Sequence, residues 1–545
     1  MGTGIHAQTP LWQIAVGINP SSIPTPNYSN VLATATDAAG NVYLAGRFQG
    51  TVSFGTISLV SAGLEDAFVA KWSRASASFA WAQRAGGAAR DEATAIAVAG
   101  TSVYVAGFFY SATAGFGGTT LNNAGGSGGT NDVFVAKLSD TGTTTRFSWA
   151  QRAGGNNSDR ALGVAVAGTS VYVTGSIFSP TATFGGTTLT NGSFENMFIA
   201  KLTDAGATGS FAWAQLSGSR FGAEATAVAV AGNNVYVTGY FNGSTLFGNT
   251  VLTGASIYAD MFVAKLTDTG NAGNFMWAQA VGGVDDEYSN AIAVNGTGIY
   301  VAGYRSVAGS SDEVLVAKLT DAGSVGSLTW TQQSSPGSSG MAKAVAVNGT
   351  SIYVVGSFTS GQLRFGALTL SNSGIGADAF VTKLTDGGGR GNFSWVQGAG
   401  GTDDDYGYAV AVNGASVFVG GAVIRPASFG AFTVTSATGL PIGFLALLTD
   451  GGALATTTSV LKTALDLYPN PAHASTMINL LPGLGAGEAV VTVVDAFGRV
   501  VQRNKVALPV TGRLYELNVT DLASGVYAVR VQTGATTAVR RLAVE

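Results

Sequence analysis

Histidine occurs twice, at His6 and His473, and cysteine not at all. The stretch from Thr9 to Asp450 contains neither. That rules out thiolate nucleophiles, a Ser-His-Asp triad and His- or Cys-bound zinc across most of the chain. Proton transfer or cation binding there must rest on carboxylates, tyrosines, lysines and arginines. Carboxylates gather in four short segments: TDDDYGY (Thr402–Tyr408), VDDEYSN (Val284–Asn290), ARDEA (Ala89–Ala93) and NSDRA (Asn157–Ala161). The first two also carry a tyrosine. Asp285, Asp286, Glu287, Tyr288, Asp403, Asp404, Asp405 and Tyr406 are therefore the candidate ligand-binding residues. Oxygen-rich loops of this kind suit Ca²⁺, and Asp403 and Asp405 are the candidate calcium ligands, with no other cofactor expected. No spacing matches a complete Ca²⁺ loop, and the competing reading is a solvated turn on a surface with few charges.

These segments occupy one recurrent position in a repeat. A VYVAG-like string ends at Gly46, Gly107, Gly175, Gly239, Gly303, Gly356 and Gly421. An alternating segment such as ATAIAV (Ala93–Val98) precedes each, joined by a turn such as NGTG (Asn295–Gly298). That pattern predicts a β-hairpin, since the turn needs positive φ. A DAFVAKL-like string follows, then FAWAQ or its variants around Trp81, Trp149, Trp213, Trp277, Trp330 and Trp395. Four short antiparallel strands per period, repeated without helices, predict an all-β chain built as a seven-bladed β-propeller. Each acidic segment lies where the fourth strand of one period connects to the first of the next.

The seventh period, FLALLTDGGALATTTSV (Phe444–Val460), has no tryptophan strand. TPLWQIAVG (Thr9–Gly17) stands before the repeats begin, and the expectation is that it completes the last blade and closes the ring. Trp12, Ala15 and Gly17 carry that match, while Pro10 and Ile14 depart from it.

Two other repeated features read as structural. Lys71, Lys137, Lys201, Lys265, Lys318 and Lys383 recur at one position, and the seventh period has Leu447; a catalytic lysine is not needed six times. These are read as snorkelling beside the neighbouring strand, with a nearby Asp as partner. Phe54, Phe116, Phe184, Phe247, Phe365 and Phe429 each precede a glycine, and are read as rings packed under a tight loop. The LTDAG-type turns at Asp204, Asp268 and Asp321 are read as hairpins in which Asp caps local backbone.

Composition narrows the class of protein. Charged residues are 11%, glycine accounts for 78 of 545 residues, and the net charge is −4 with no basic block. This argues against a nucleic-acid partner. No apolar run is long enough to span a bilayer, so no transmembrane segment is expected. The opening MGTGIHAQTP has no basic and apolar regions of its own, and residues 1–8 are read as the remnant of a signal peptide.

The repeats, from roughly Thr9 to Asp450, resemble the seven-bladed propeller repeats of bacterial surface proteins, which implies architecture more than activity. After a linker at 451–463 the text changes to alternating strands that predict a small β-sandwich over 464–545. This tail resembles the C-terminal sorting domain of type IX secretion at Tyr468, Pro469, Asn470, Pro471, Asp495, Gly498, Gly525 and Tyr527. The resemblance implies export through that machinery and a place outside the cell or on its outer surface. Two functions then stand for the propeller. One is noncatalytic binding or adhesion to a polysaccharide or protein. The other is a carbohydrate-active hydrolase or lyase that uses carboxylates on one face.

Overall fold

The computed structural model describes residues 10–20, 27–126, 129–192, 194–254, 258–307, 311–359, 361–372, 374–436, 439–450, 465–480, 487–495, 500–508, 513–533 and 536–545. Residues 1–8 and the 451–463 segment lie outside these. The chain divides into two compact units, Met1–Asp450 and Gly451–Glu545. Among the described residues both units are strands without helices.

The larger unit is a series of antiparallel sheets on a four-strand plan; Asn19–Pro20 extends the first, Thr181–Phe184 and Thr187–Thr190 extend the second, and two-stranded hairpins accompany others. The first sheet holds Tyr28–Thr36, Val42–Phe54, Ile57–Ser73 and Ser78–Ala85. The second holds Asp91–Ala99, Ser102–Phe109, Asp132–Asp140 and Thr145–Gly154. The third and fourth begin with Asp159–Ala167 and Ala223–Ala231, the fifth and sixth with Asp286–Asn295 and Gly340–Asn348. The seventh holds Asp405–Asn413, Ser416–Val423 and Ile442–Thr449, and its fourth strand is Trp12–Gly17 from the other end of the unit.

Alternation explains both faces of each sheet, because successive strand side chains point to opposite sides. In Ser102–Phe109 and its counterparts nearly every residue is buried, since each sheet is covered on both faces by a neighbour. Hydrophobic clusters accordingly join residues of two successive sheets, as Tyr43 and Trp81 meet Val103 and Leu138. First strands are stitched to one another by side chains. Thr94 Oγ1 donates to Ala161 O at 2.8 Å, Asn348 Nδ2 to Gly414 O at 2.7 Å, and Asn413 Nδ2 to Asp37 O at 2.9 Å. The last of these links the seventh sheet to the first.

In the first six sheets the fourth strand carries a bulge at its tryptophan, as between Lys71 and Trp72 of the paired third strand. A bulge re-aims side chains, and here the indole reaches the following sheet. Trp81 Nε1 donates to Asp140 Oδ1 at 2.9 Å, while Lys71 Nζ and Tyr43 Oη reach Asp140 Oδ2 at 2.6 and 2.7 Å. The same four-residue knot recurs as Tyr104, Lys137, Trp149 and Asp204, and on to Tyr353, Lys383, Trp395 and Asp450. The repeated lysines are thus buried ion-pair members between sheets. The turn aspartates do more than cap: Asp140 Oδ1 accepts from Gly142 N at 2.8 Å, as a local cap should, and also holds the previous sheet.

The N-terminal strand fills its slot in a shifted way. Register puts Ile14 opposite Leu447, where Trp81 stands opposite Lys71, and Trp12 opposite Leu448, where Phe79 stands opposite Trp72. Trp12 therefore replaces the repeat's phenylalanine, and Ile14 its tryptophan. Phe418 and Leu447 take the places of the tyrosine and lysine, and this seam is apolar, closed over Trp72, whose ring lies 6.4 Å from that of Phe418. The six phenylalanines before glycine are all buried.

The smaller unit has two antiparallel sheets, one of Leu465–Tyr468, Ser475–Leu480 and Arg513–Asn518, the other of Gly487–Val494, Val500–Leu508, Gly525–Thr533 and Thr536–Val544. Val491, Val493, Leu517, Val529, Val531 and Leu542 form its core.

Candidate functional site

The two acidic segments fold alike. Asp286 Oδ1 accepts from Ala259 N at 2.7 Å and Asp404 Oδ1 from Ala377 N at 2.9 Å, so each pins the start of the preceding sheet's third strand. The next residue in each, Glu287 or Asp405, is buried. Glu287 Oε2 accepts from Gly283 N at 3.0 Å; burial raises its carboxyl to about 7 despite that bond. Asp405 is likewise raised by burial to about 7, against the hydrogen bond that Ile424 N donates to its Oδ1 at 3.2 Å. Asp285 lies 3.9 Å from Arg305 and Asp403 3.4 Å from Arg425. Of the six carboxylates among the eight candidates, Asp286 and Asp404 thus join sheets, Asp285 and Asp403 face arginines, and Glu287 and Asp405 are buried.

The two tyrosines have a different environment. Tyr288 stacks on Tyr304, centroids 5.0 Å apart at 22°, and meets Tyr240 edge-on at 4.9 Å. Lys343 Nζ sits 5.7 Å over the Tyr304 ring. These residues come from the fourth, fifth and sixth sheets, and all four are half-buried. Burial lowers the Lys343 ammonium, with Asp312 opposing, and burial raises Tyr304 to about 12. Tyr406 stacks on Tyr408 at 5.6 Å and 12° in the seventh sheet.

Charges continue around the same positions of the other sheets. Arg160 Nη2 reaches Glu195 at 3.1 Å and Glu224 at 3.2 Å, and Tyr240 Oη lies 3.5 Å from Glu224. Burial raises the Glu224 carboxyl to about 7, Arg160 opposing it. Arg47 reaches Glu92 at 2.6 Å, and Arg90 bridges Glu65 at 2.6 Å and Glu92 at 2.9 Å. Tyr240, Tyr304, Tyr408, Lys343, Arg160, Glu195 and Glu224 were not among the sequence candidates. For some of them the signal is positional: Arg160 and Glu224 stand at the first-strand position that Glu92, Tyr288 and Tyr406 hold in other sheets, and Tyr240 and Tyr304 pair across from it. Exposed Phe178, Phe194, Phe221 and Tyr258 lie in or beside the loops of the third and fourth sheets.

In the tail, Asn470 Nδ2 donates to Arg541 O at 2.7 Å and its Oδ1 accepts from Ala543 N at 2.8 Å, clamping the last strand. Thr476 Oγ1 donates to Pro469 O at 2.8 Å, and Tyr527 Oη to Ala523 O at 2.7 Å. Tyr468 is exposed. Pro471 follows Asn470 into the turn before the Ser475–Leu480 strand, and Gly525 opens the Gly525–Thr533 strand. Asp495 closes the Gly487–Val494 strand, and Gly498 lies outside the described residues.

Residues 466–545 match the family model described as a secretion system C-terminal sorting domain. That match marks the chain for type IX export, for release or attachment at the cell surface. No helix in the described residues is long and apolar enough to cross a membrane. No curated protein matches the chain. Solved structures that it resembles include a protein of unknown function from Dyadobacter fermentans, at 10% identity and a TM-score of 0.36, covering 80% of this chain and 97% of that one. A quinohemoprotein alcohol dehydrogenase from Comamonas testosteroni aligns at 11% identity and a TM-score of 0.39, over 85% of this chain and 80% of that one. A glycoside hydrolase of family 32 from Bifidobacterium adolescentis aligns at 10% identity and a TM-score of 0.26, over 97% and 95%.

Proposed function

We propose that the exported chain is a noncatalytic binding protein: a seven-bladed β-propeller, closed by the N-terminal strand, that engages a polysaccharide through the mouth formed by its first strands. The observation that carries this reading is the Tyr240–Tyr288–Tyr304 cluster with Lys343 beside it. Stacked, half-buried rings with polar tips supply apolar faces for sugar rings and hydrogen bonds for their hydroxyls. Arg160, Glu195 and Glu224 add charged donors and acceptors at the neighbouring position.

Carboxylates near these rings support binding over hydrolysis. Glu195 and Glu224 share one guanidinium, Glu313 is held by Arg305 at 2.7 Å, and Glu287 by a main-chain amide. A glycoside hydrolase needs two carboxyl groups facing each other across the substrate, about 5–10 Å apart.

The test is a polysaccharide array probed with the full chain, followed by calorimetry on any hit. Binding without product, weakened about two- to tenfold by Tyr288→Ala or Tyr304→Ala, is the expected result, since one ring contact is worth about 0.5–1.5 kcal/mol. Cleavage of a spotted glycan sinks the reading, and so does binding that neither substitution changes.

A further inference from the structure

Four contacts between sheets bury one carboxylate beside another. At equivalent places a carboxylate of a third strand meets one at the start of the next sheet's first strand: Asp66 with Asp91, Asp132 with Asp159, Asp260 with Glu287, and Asp378 with Asp405. Two buried anions side by side are unstable unless a cation joins them or one of them takes up a proton. In the first two contacts the fourth strand supplies it: Arg84 Nη1 reaches Asp66 Oδ2, and Arg152 Nη1 Asp132 Oδ2, each at 2.7 Å.

At the fourth contact that cation is missing. Arg84 stands opposite Phe68 and Arg152 opposite Phe134, while the residue opposite Phe380 is Gly398. Among the described residues Asp378 and Asp405 have no arginine, lysine or histidine partner. Asp405 is 0% exposed, and its Oδ2 has no hydrogen-bond partner. Asp378 Oδ1 is buried and unpartnered, as Asp66 Oδ1 and Asp132 Oδ1 are; what the fourth contact lacks is the arginine that those residues hold on Oδ2. Asp378 lies close enough for its charge to oppose the ionisation of Asp405, whose N donates to Ala377 O at 2.6 Å. Nearby Asp404 is spent on Ala377 N, and Asp403 faces Arg425.

We propose that Asp378 Oδ1 and Asp405 Oδ2 hold a divalent metal cation of the calcium class, in the role that a guanidinium fills in the first and second sheets. A hard cation of this kind takes oxygen ligands, several of which are commonly main-chain carbonyls and water. Among the described residues no three Asp, Glu, His or Cys side chains converge on one point, so the protein's charge at this site comes from two carboxylates. The site differs from the sequence expectation by one ligand: Asp378, from the neighbouring sheet, takes the part assigned to Asp403. It goes beyond the polysaccharide reading and stands without it.

The test uses the full chain, stripped of metal and titrated with CaCl₂ at pH 7.5 by calorimetry, with thermal unfolding followed in Ca²⁺ and in chelator. The wild type is expected to bind one Ca²⁺ tightly at this site and to melt several degrees higher with it. Asp405→Asn and Asp378→Asn are expected to weaken that binding at least about tenfold. Gly398→Arg, which restores the guanidinium, is expected to raise the melting point in chelator and to erase the Ca²⁺ shift. No heat and no shift in the wild type, with a melting point that rises only on acidification, would mean a shared proton and overturn the proposal. A Ca²⁺ shift that survives in both Asp405→Asn and Gly398→Arg would place the ion elsewhere, and overturns it equally.

Discussion

The indole of Trp12 meets the ring of Phe429 edge-on, with centroids 5.2 Å apart at 82°. Phe79 meets Phe54 in the first sheet in nearly the same way, at 5.3 Å and 85°. A residue from the start of the larger unit thus completes a packing unit whose other members lie more than four hundred positions later. Its register also removes the polar knot from that seam: Phe418, Leu447 and Ile14 stand where other sheets have tyrosine, lysine and tryptophan.

Trp12 itself packs on the opposite side, where its Nε1 donates to Gly398 O at 3.2 Å, so truncating it should loosen the seventh sheet from the sixth. Trp12→Ala is expected to cost about 3–5 kcal/mol in urea unfolding, the usual loss for a buried indole, and Trp12→Phe much less. Ile14→Trp should not help, because no aspartate faces the indole N–H there. If Trp12→Ala unfolds like the wild type, the strand does not hold the unit together.

The polar knots are the converse case. Lys71 and Asp140 are each about one-twentieth exposed and paired at 2.6 Å. Lys71→Leu alone leaves the Asp140 charge uncompensated, with an expected loss of about 3–5 kcal/mol. The pair Lys71→Leu with Asp140→Leu should recover most of it, since the seventh seam already works with apolar residues. A double variant as unstable as the single one would refute this.

Two sets of carboxyls set opposite pH trends. Burial pushes Asp140, Asp204, Asp268, Asp321, Asp386 and Asp450 up, but their lysine, tyrosine and tryptophan partners outweigh it and leave them below the ordinary value. That contribution is present above about pH 4, the unfolded value, and is lost as pH falls through the depressed folded one. Burial instead raises Asp91 and Asp378 to about 6 and Asp405 to about 7. Their contribution is complete below about pH 4 and is lost as pH rises through the folded values. In chelator the melting temperature should therefore climb from pH 8 towards pH 5 and fall below pH 4. Asp405→Asn should flatten the upper limb; a wild-type profile already flat between pH 5 and 8 refutes the assignment.

Asn470 ties the entrance of the tail to its last strand through two hydrogen bonds. Asn470→Ala should cost the tail about 1–3 kcal/mol by orphaning those backbone groups. It should also reduce the amount of protein reaching the surface or medium, measured by blotting cell and culture fractions. Normal export at wild-type yield would show that the clamp serves folding alone.

The all-β class, the run of four-strand periods and the exported tail were legible in the sequence because they rest on local, repeated text. Alternation fixes strand faces, Asn-Gly fixes turns, and the Tyr-Pro-Asn-Pro entrance is contiguous. That the lysines were structural also followed from counting them. Which aspartate meets which lysine was decided by the tertiary structure, because Lys71 and Asp140 lie on different sheets. The same applies to the Trp12 register, where a shift of the pairing changed the residue's role although the spacing from Trp12 to Gly17 repeats that from Trp81 to Gly86. The acidic loops looked like a site because their charges are adjacent in the chain. Folding turns Asp286 and Asp404 to backbone amides and buries Glu287 and Asp405 against carboxylates of a neighbouring sheet. A carboxylate's partner is set by distance in space, and in a stack of sheets that distance is independent of sequence separation.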